Sequence, residues 1–133
     1  MCITFLSVNE IEYLNQLEME LRNQEFIVSN RALLESAVFA PQASFGGEYL
    51  YKDIYEMASV YLYHISQNHG FEDGNKRTAV IAMIAFLNLN QLDFVASEDQ
   101  LFEIALSVAQ GKTQREAVVD FIRNNCRELP FIY

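Results

Sequence analysis

Between Thr78 and Leu89 the only strongly polar side chain is Asn88. A run that is apolar on every side of a helix has no face to give to water, so it belongs in the middle of a core. It is too short to cross a bilayer, which takes about 20 apolar residues. The rest of the chain must therefore wrap it. With 133 residues, 51% of them hydrophobic, there is material for one substantial core. A single domain over residues 1–133 is the expectation from length.

The other segments supply amphipathic helices for that purpose. Ser7 with Glu10 three places on is a capping-box pattern, and Val8, Ile11, Leu14, Leu17 and Leu21 follow at helical spacing. A first helix is expected over about 8–23. Ser29 or Asn30 can cap a second, short helix that ends before Pro41. Residues 51–67 return to helix, with Ile54, Met57, Ala58, Tyr61 and Ile65 on one face and Tyr55, Tyr61 and Tyr63 read as packing residues. Residues 92–95 form a short extended link. Ser97 with Gln100 caps a further helix to about 110, closed by Gly111, and Thr113 with Glu116 suggests another capping box for a last helix to about 125. The apolar tail 129–133 could dock on the body or on a partner. The fold class is all-α, about six helices with one short hairpin at most.

Directly before the apolar run lies the densest chemistry in the chain, HGFEDGNKRT over residues 69–78. Gly74-Asn75 reads as a turn, which puts Lys76 and Arg77 at a helix N-terminus. Cations are repelled there, whereas anions are attracted by the helix dipole and the unpaired N–H groups. Two cations at that place suit a polyanion such as phosphate. The plainer alternative is a solvated loop-to-helix connection, but a cap alone explains neither the histidine nor the acidic residue four places on. Imidazole is the side chain here that titrates near neutrality, so His69 can act as general base toward a hydroxyl. Asp73 is a hard oxygen ligand suited to Mg²⁺. Gly74 allows close backbone approach to an anion. Asn75 can orient the loop or a phosphate oxygen, and Lys76 and Arg77 can neutralise charge on a transferring phosphoryl group. Phe71 should anchor the loop in the core, and Glu72 should face solvent. His64, five places before His69, offers no helical metal pair and is read as a surface or satisfied histidine.

Charge and cysteines exclude other classes. A net charge of −9 is poor for direct nucleic-acid binding, which needs a basic face. Cys2 and Cys126 make no disulfide framework and have no zinc-ligand spacing, which fits a reducing, cytoplasmic setting. The first six residues are apolar but lack a basic start, so neither a signal peptide nor a membrane partner is expected.

HGFEDGNKRT resembles the motif of the Fic/Doc superfamily in the form found in the death-on-curing (Doc) branch. FLSVNEI near the start, LLESA at 33–37, PQASFGG at 41–47 and NKRTAVIAMIAFL at 75–87 are similar to Doc segments, so the likeness covers nearly the whole chain. It implies the Fic (Fido) helical fold. It implies His69 and Arg77 as catalytic residues, Asp73 as Mg²⁺ ligand, and Gly74, Asn75, Lys76 and Arg77 as the nucleotide-binding set. It also implies that the 41–47 loop, with Ser44, Phe45, Gly46 and Gly47 at its tip, is a flap that holds a target segment by strand addition; from residues alone it is a plain surface loop as readily.

The implied activity is that of a Doc-like toxin transferring the γ-phosphate of ATP to a Thr or Ser hydroxyl of a translation factor, with an elongation factor as the candidate target. ATP and Mg²⁺ are then the cofactors. A cognate antitoxin is the implied partner, its disordered segment folding as a helix on the toxin. Two alternatives stand beside this: a Fic-type AMP transferase, and a non-catalytic binding module on the same fold. The second arginine of the AMP-transferring motif would fall at Val80, which favours the Doc form. Asn15 stands where many Doc-like chains carry histidine, and Ser29-Asn30 where Arg-Asp is frequent. Glu35 does not match the inhibitory glutamate motif of some Fic proteins and is read as structural. Gly70 stands where Pro or Ile is common and is expected to loosen the loop.

Overall fold

The structure, a computed structural model, describes residues 2–130. Six helices account for most of it: α1 (Val8–Leu21), α2 (Arg31–Phe39), α3 (Ile54–Asn68), α4 (Asn75–Leu89), α5 (Glu98–Ala109) and α6 (Arg115–Asn124). The apolar run is α4, and α3 lies along it with the largest contact in the fold. From α4, Ala79, Val80, Ala82, Met83, Phe86 and Leu87 are all buried. They pack against Met57, Tyr61 and Ile65 of α3, Ile11 of α1 and Leu101 of α5 in one cluster. The all-α reading holds.

The helix starts follow local chemistry. Ser7 Oγ accepts the Glu10 N–H at 3.1 Å, and Glu10 Oε1 accepts the Ser7 N–H at 2.9 Å, closing the capping box of α1. Asn30, not Ser29, caps α2: its Oδ1 accepts from Leu33 N at 3.0 Å. Asp53 caps α3 in the same way from Glu56 N, at 2.8 Å. Ser97 and Gln100 form the box that opens α5, and Gly111 follows it at φ +74°. The box expected at Thr113 does not form. The Thr113 hydroxyl lies 2.6 Å from Ser107 Oγ, and α6 is capped by Gln114, which makes no side-chain bond to it. A hydroxyl shared with a neighbouring helix wins over one facing solvent.

Pro41 sits in a 3₁₀ turn (Ala40–Gln42) after α2, and a two-residue hairpin follows: β1 (Ser44–Phe45) with β2 (Glu48–Tyr49), paired Ser44↔Tyr49 and Phe45↔Glu48. Gly46 and Gly47 turn at φ +62° and +83°. Two consecutive positive φ values are what a tight two-residue hairpin turn demands. A second small ladder was not expected. The extended link becomes β3 (Leu92–Phe94) and pairs antiparallel with β4 (Cys126–Glu128). Across it the Arg127 guanidinium donates to Asp93 Oδ2 at 3.0 and 3.1 Å. Three residues are too few to display a strand period. The apolar tail at 129–133 lies outside the described residues from 131 onward.

Tyr61 lies at the centre of the α3–α4 contact. Its hydroxyl accepts the Leu6 N–H at 2.9 Å, which ties the N-terminal segment to the core. Burial pushes the phenol up to about 12.

Candidate active site

Residues 69–74 connect the two central helices, and most carbonyls of the connection and half of its N–H groups are held. His69 ends α3 in the left-handed region, φ 52° and ψ 46°. That conformation costs an L residue about 1 kcal/mol, so the surroundings must impose it. The Gly70 carbonyl accepts from Ser29 N at 2.9 Å and Asn30 N at 3.1 Å. Phe71 is buried against Phe26, ring centroids 6.2 Å apart, and bridges to Val28. Glu72 N donates to the Ile27 carbonyl at 3.0 Å while its side chain is exposed, as expected. Asn75 uses both ends of its amide on one residue: Oδ1 accepts from Phe71 N at 3.1 Å and Nδ2 donates to the Phe71 carbonyl at 2.8 Å. Its side chain therefore braces the loop.

Gly70 corrects an expectation. A Cβ there would stand 2.7 Å from Leu34 Cβ and 2.8 Å from Leu34 Cα. The residue permits close packing of the loop on α2 and does not loosen it. Gly74 is constrained as well, at φ +79°, with a Cβ position 2.5 Å from Met19 Cε and 3.1 Å from Asn15 Nδ2. Its smallness serves contact with α1.

The loop opens on a cleft of about 580 Å³. His69, Glu72, Asp73, Gly74, Asn75, Lys76 and Arg77 line it, joined by Ser66 from α3, Glu18 and Arg22 from α1 and its C-terminal cap, and Phe102 from α5. The motif residues singled out in the sequence thus share one cavity. The hairpin residues Ser44, Phe45, Gly46 and Gly47 do not line it. His64 does not either. It lies half-buried beside Tyr63, and burial, then the charge of Arg115, holds its pKa below the ordinary imidazole value.

The cleft floor is the N-terminus of α4. The first turn of α4 begins with the Thr78 N–H bonding to the Gly74 carbonyl at 2.9 Å. The N–H groups of Asn75, Lys76 and Arg77 precede that bond and have no acceptor within the helix. No side chain caps them. Arg77 stands over the Phe102 ring at 5.4 Å, with Glu98 at 3.5 Å and Glu18 at 3.9 Å. Among the described residues Lys76 has no ion pair. Asp73 Oδ1 accepts from Gly74 N at 2.7 Å, and Oδ2 lies 4.0 Å from Arg22. The pairs of Arg77 with Glu98 and of Arg22 with Asp73 are about half exposed and hold little energy, so an incoming anion can displace them, whereas the Glu18 side chain is nearly buried. Among the described residues no three His, Cys, Asp or Glu side chains gather as a metal site. A cation here would have Asp73 as its protein ligand, with phosphate and water oxygens for the rest, the mode that suits Mg²⁺. Glu18 and Arg22 escaped notice in the sequence because only the docking of α1 brings them to the loop; Asn15 was singled out there by the resemblance alone, and the same docking gives it its partners.

A helical fold with this loop-to-helix cleft between its two central helices agrees with what sequence comparison finds. Residues 5–87 match the Fic/DOC family, and the chain belongs to it. Toxin Doc of Mycolicibacterium smegmatis is 36% identical over 87 residues, 61% of this chain and 67% of that protein. The protein kinase doc of Escherichia phage P1 is 31% identical over 71 residues, 53% of this chain and 56% of that protein. The match thus spans about two thirds of the first relative's length and little more than half of the second's. Both are Doc proteins, the branch to which the motif HGFEDGNKRT is similar. Among the described residues no helix is long and apolar enough to cross a membrane.

Proposed function

We propose that the chain is a Doc-like toxin that transfers the γ-phosphate of ATP to a Thr or Ser hydroxyl of a protein target, a translation factor being the candidate class. The observation that carries this is the common cleft: a general base, a carboxylate and two cations arranged around an uncapped helix N-terminus. In this reading the N–H groups of residues 75–77, with Lys76 and Arg77, bind the phosphates. Asp73 holds Mg²⁺, which would neutralise phosphate charge when bound. His69 takes the proton from the target hydroxyl, whose oxygen bonds to the γ-phosphorus as the bond to the bridging oxygen breaks and ADP leaves. Asn75 acts by holding the loop, through its side chain, and by its backbone N–H.

Val80 supports phosphoryl over adenylyl transfer. It stands where the AMP-transferring motif has its second arginine, and it is fully buried against the core. The valine offers the cleft no charge from that position. The hairpin, with Phe45 83% exposed, is free to pair with a target strand. A cognate antitoxin and a cytoplasmic setting complete the proposal, and DNA binding would fall to that partner.

Intact mass of candidate translation factors, after incubation with the chain, ATP and Mg²⁺, tests this directly. One added phosphoryl group that disappears with His69→Ala is the expected result. An added adenylyl group would overturn the phosphoryl reading in favour of AMP transfer. A His69→Ala chain that remains as toxic as the parent would instead favour the binding module.

A further inference from the structure

Asn15 lies on α1, fully buried, and its amide spans the start of α4. Nδ2 donates to the Asp73 carbonyl at 3.0 Å and to Thr78 Oγ1 at 3.0 Å. Those acceptors stand on either side of the helix's first turn. Oδ1, in contrast, is buried with no hydrogen-bond partner among the described residues. Turning the amide over would not relieve it, because Oδ1 would then face the Asp73 carbonyl, acceptor against acceptor. An unpaired buried acceptor is costly, so what an amide brings to this position is its two donor hydrogens.

Those hydrogens act on the carboxylate of the site. The peptide bond between residues 73 and 74 is trans, so its N–H points opposite to its carbonyl. With the carbonyl held toward Asn15, the Gly74 N–H is turned away from α1 and is accepted by Asp73 Oδ1 at 2.7 Å. Oδ2 is left on the side of Arg22, 4.0 Å away, which also lines the cleft. Gly74 suits this, since its φ of +79° favours glycine and a Cβ there would stand 2.5 Å from Met19 Cε and 3.1 Å from Asn15 Nδ2. The geometry points to Asn15 as a positioning residue: through the 73–74 peptide it sets the Asp73 carboxylate for a divalent cation that accompanies phosphate. Only the cation's part in turnover rests on the phosphoryl-transfer reading above; the positioning itself does not.

The test compares Asn15→Leu, of similar volume but without donors, with Ile122→Val, a buried change on α6 that controls for lost stability. Hydrogen exchange of the Gly74 amide is followed by NMR. Asn15→Leu should speed it by about tenfold or more, while the amides of Phe86 and Leu87 keep the rates seen in Ile122→Val. Binding of a non-hydrolysable ATP analogue is then titrated with Mg²⁺ by calorimetry. The Mg²⁺ concentration at half-saturation should rise about tenfold, the scale for loss of a group that orients a metal ligand. Analogue affinity without Mg²⁺ should not change. A folded Asn15→Leu chain with unchanged Gly74 exchange and unchanged Mg²⁺ dependence overturns the inference. Should Asn15→Leu not fold, Asn15→Ser, whose hydroxyl is too short to reach both acceptors, is measured by the same criteria. A parent chain that binds the analogue with Mg²⁺ yet transfers no phosphoryl group refutes the function proposed above and leaves the positioning role standing. A parent chain whose analogue binding is indifferent to Mg²⁺ overturns the positioning role.

Discussion

Gly70 shows how a single atom can reverse the meaning of a residue. Read in sequence, a glycine in the motif loop suggests freedom. In the fold its α-carbon lies so near Leu34 that a methyl group would overlap backbone as well as side chain. Gly70→Ala should therefore destabilise the protein by about 1–3 kcal/mol, the range for overpacking, with a lower midpoint in urea unfolding. A gain in stability would show that the loop can move off α2. Asn75 gives a second case at this scale. Its amide had two open uses, and the structure spends both ends on Phe71. The neighbouring cations keep their expected place because helix position alone set it. Asn75, Lys76 and Arg77 are the first three residues of α4, where the dipole favours anions.

At the scale of elements, helices announced themselves and strands did not. Every helix has an apolar face over ten residues or so, and most have a capping side chain within three residues of the start, both of which are local signals. The ladder of β3 with β4 joins segments 34 residues apart, too short and too charged to show alternation. The hairpin of β1 and β2 could be anticipated, since Gly46-Gly47 supplies the two positive φ values its turn needs. Its function is testable apart from its stability. Phe45 is 83% exposed, so Phe45→Ala should change unfolding free energy by no more than about 0.5 kcal/mol. If the hairpin holds the target, the same change should slow transfer to the protein substrate by about tenfold, as loss of an aromatic anchor does, with nucleotide binding untouched. Equal rates for parent and variant would remove the hairpin from target recognition.

For the molecule as a whole, the contact of α3 with α4 is what everything else is fastened to, and Tyr61 reports on it. Its phenol is raised from the ordinary 10 to about 12, first by burial, with the hydrogen bond from Leu6 N opposing and Glu10 adding. A group whose folded value is raised favours its neutral form in the native state. Its contribution to stability is thus complete below pH 10 and is lost as pH rises from 10 to 12. Tyr61→Phe should cost about 1–3 kcal/mol at neutral pH, because the Leu6 N–H is left without an acceptor. It should also lose stability less steeply than the parent above pH 10, as followed by circular dichroism in urea. A parallel pH dependence in the two chains would assign the alkaline loss to other groups.

Read alone, the sequence determined the helical class, a central buried helix, most caps and the grouping of His69, Asp73, Lys76 and Arg77 on one loop-to-helix junction. These depend on spacing within a few residues, where backbone geometry leaves little choice. Only the tertiary structure decided that Asn15 reaches Asp73 and Thr78, 58 and 63 residues away, that Glu18 and Arg22 line the cleft, that Gly70 is tight, and that Thr113 turns to Ser107. Such contacts arise from how helices dock, and docking depends on the shape of faces that meet in space with no fixed offset along the chain.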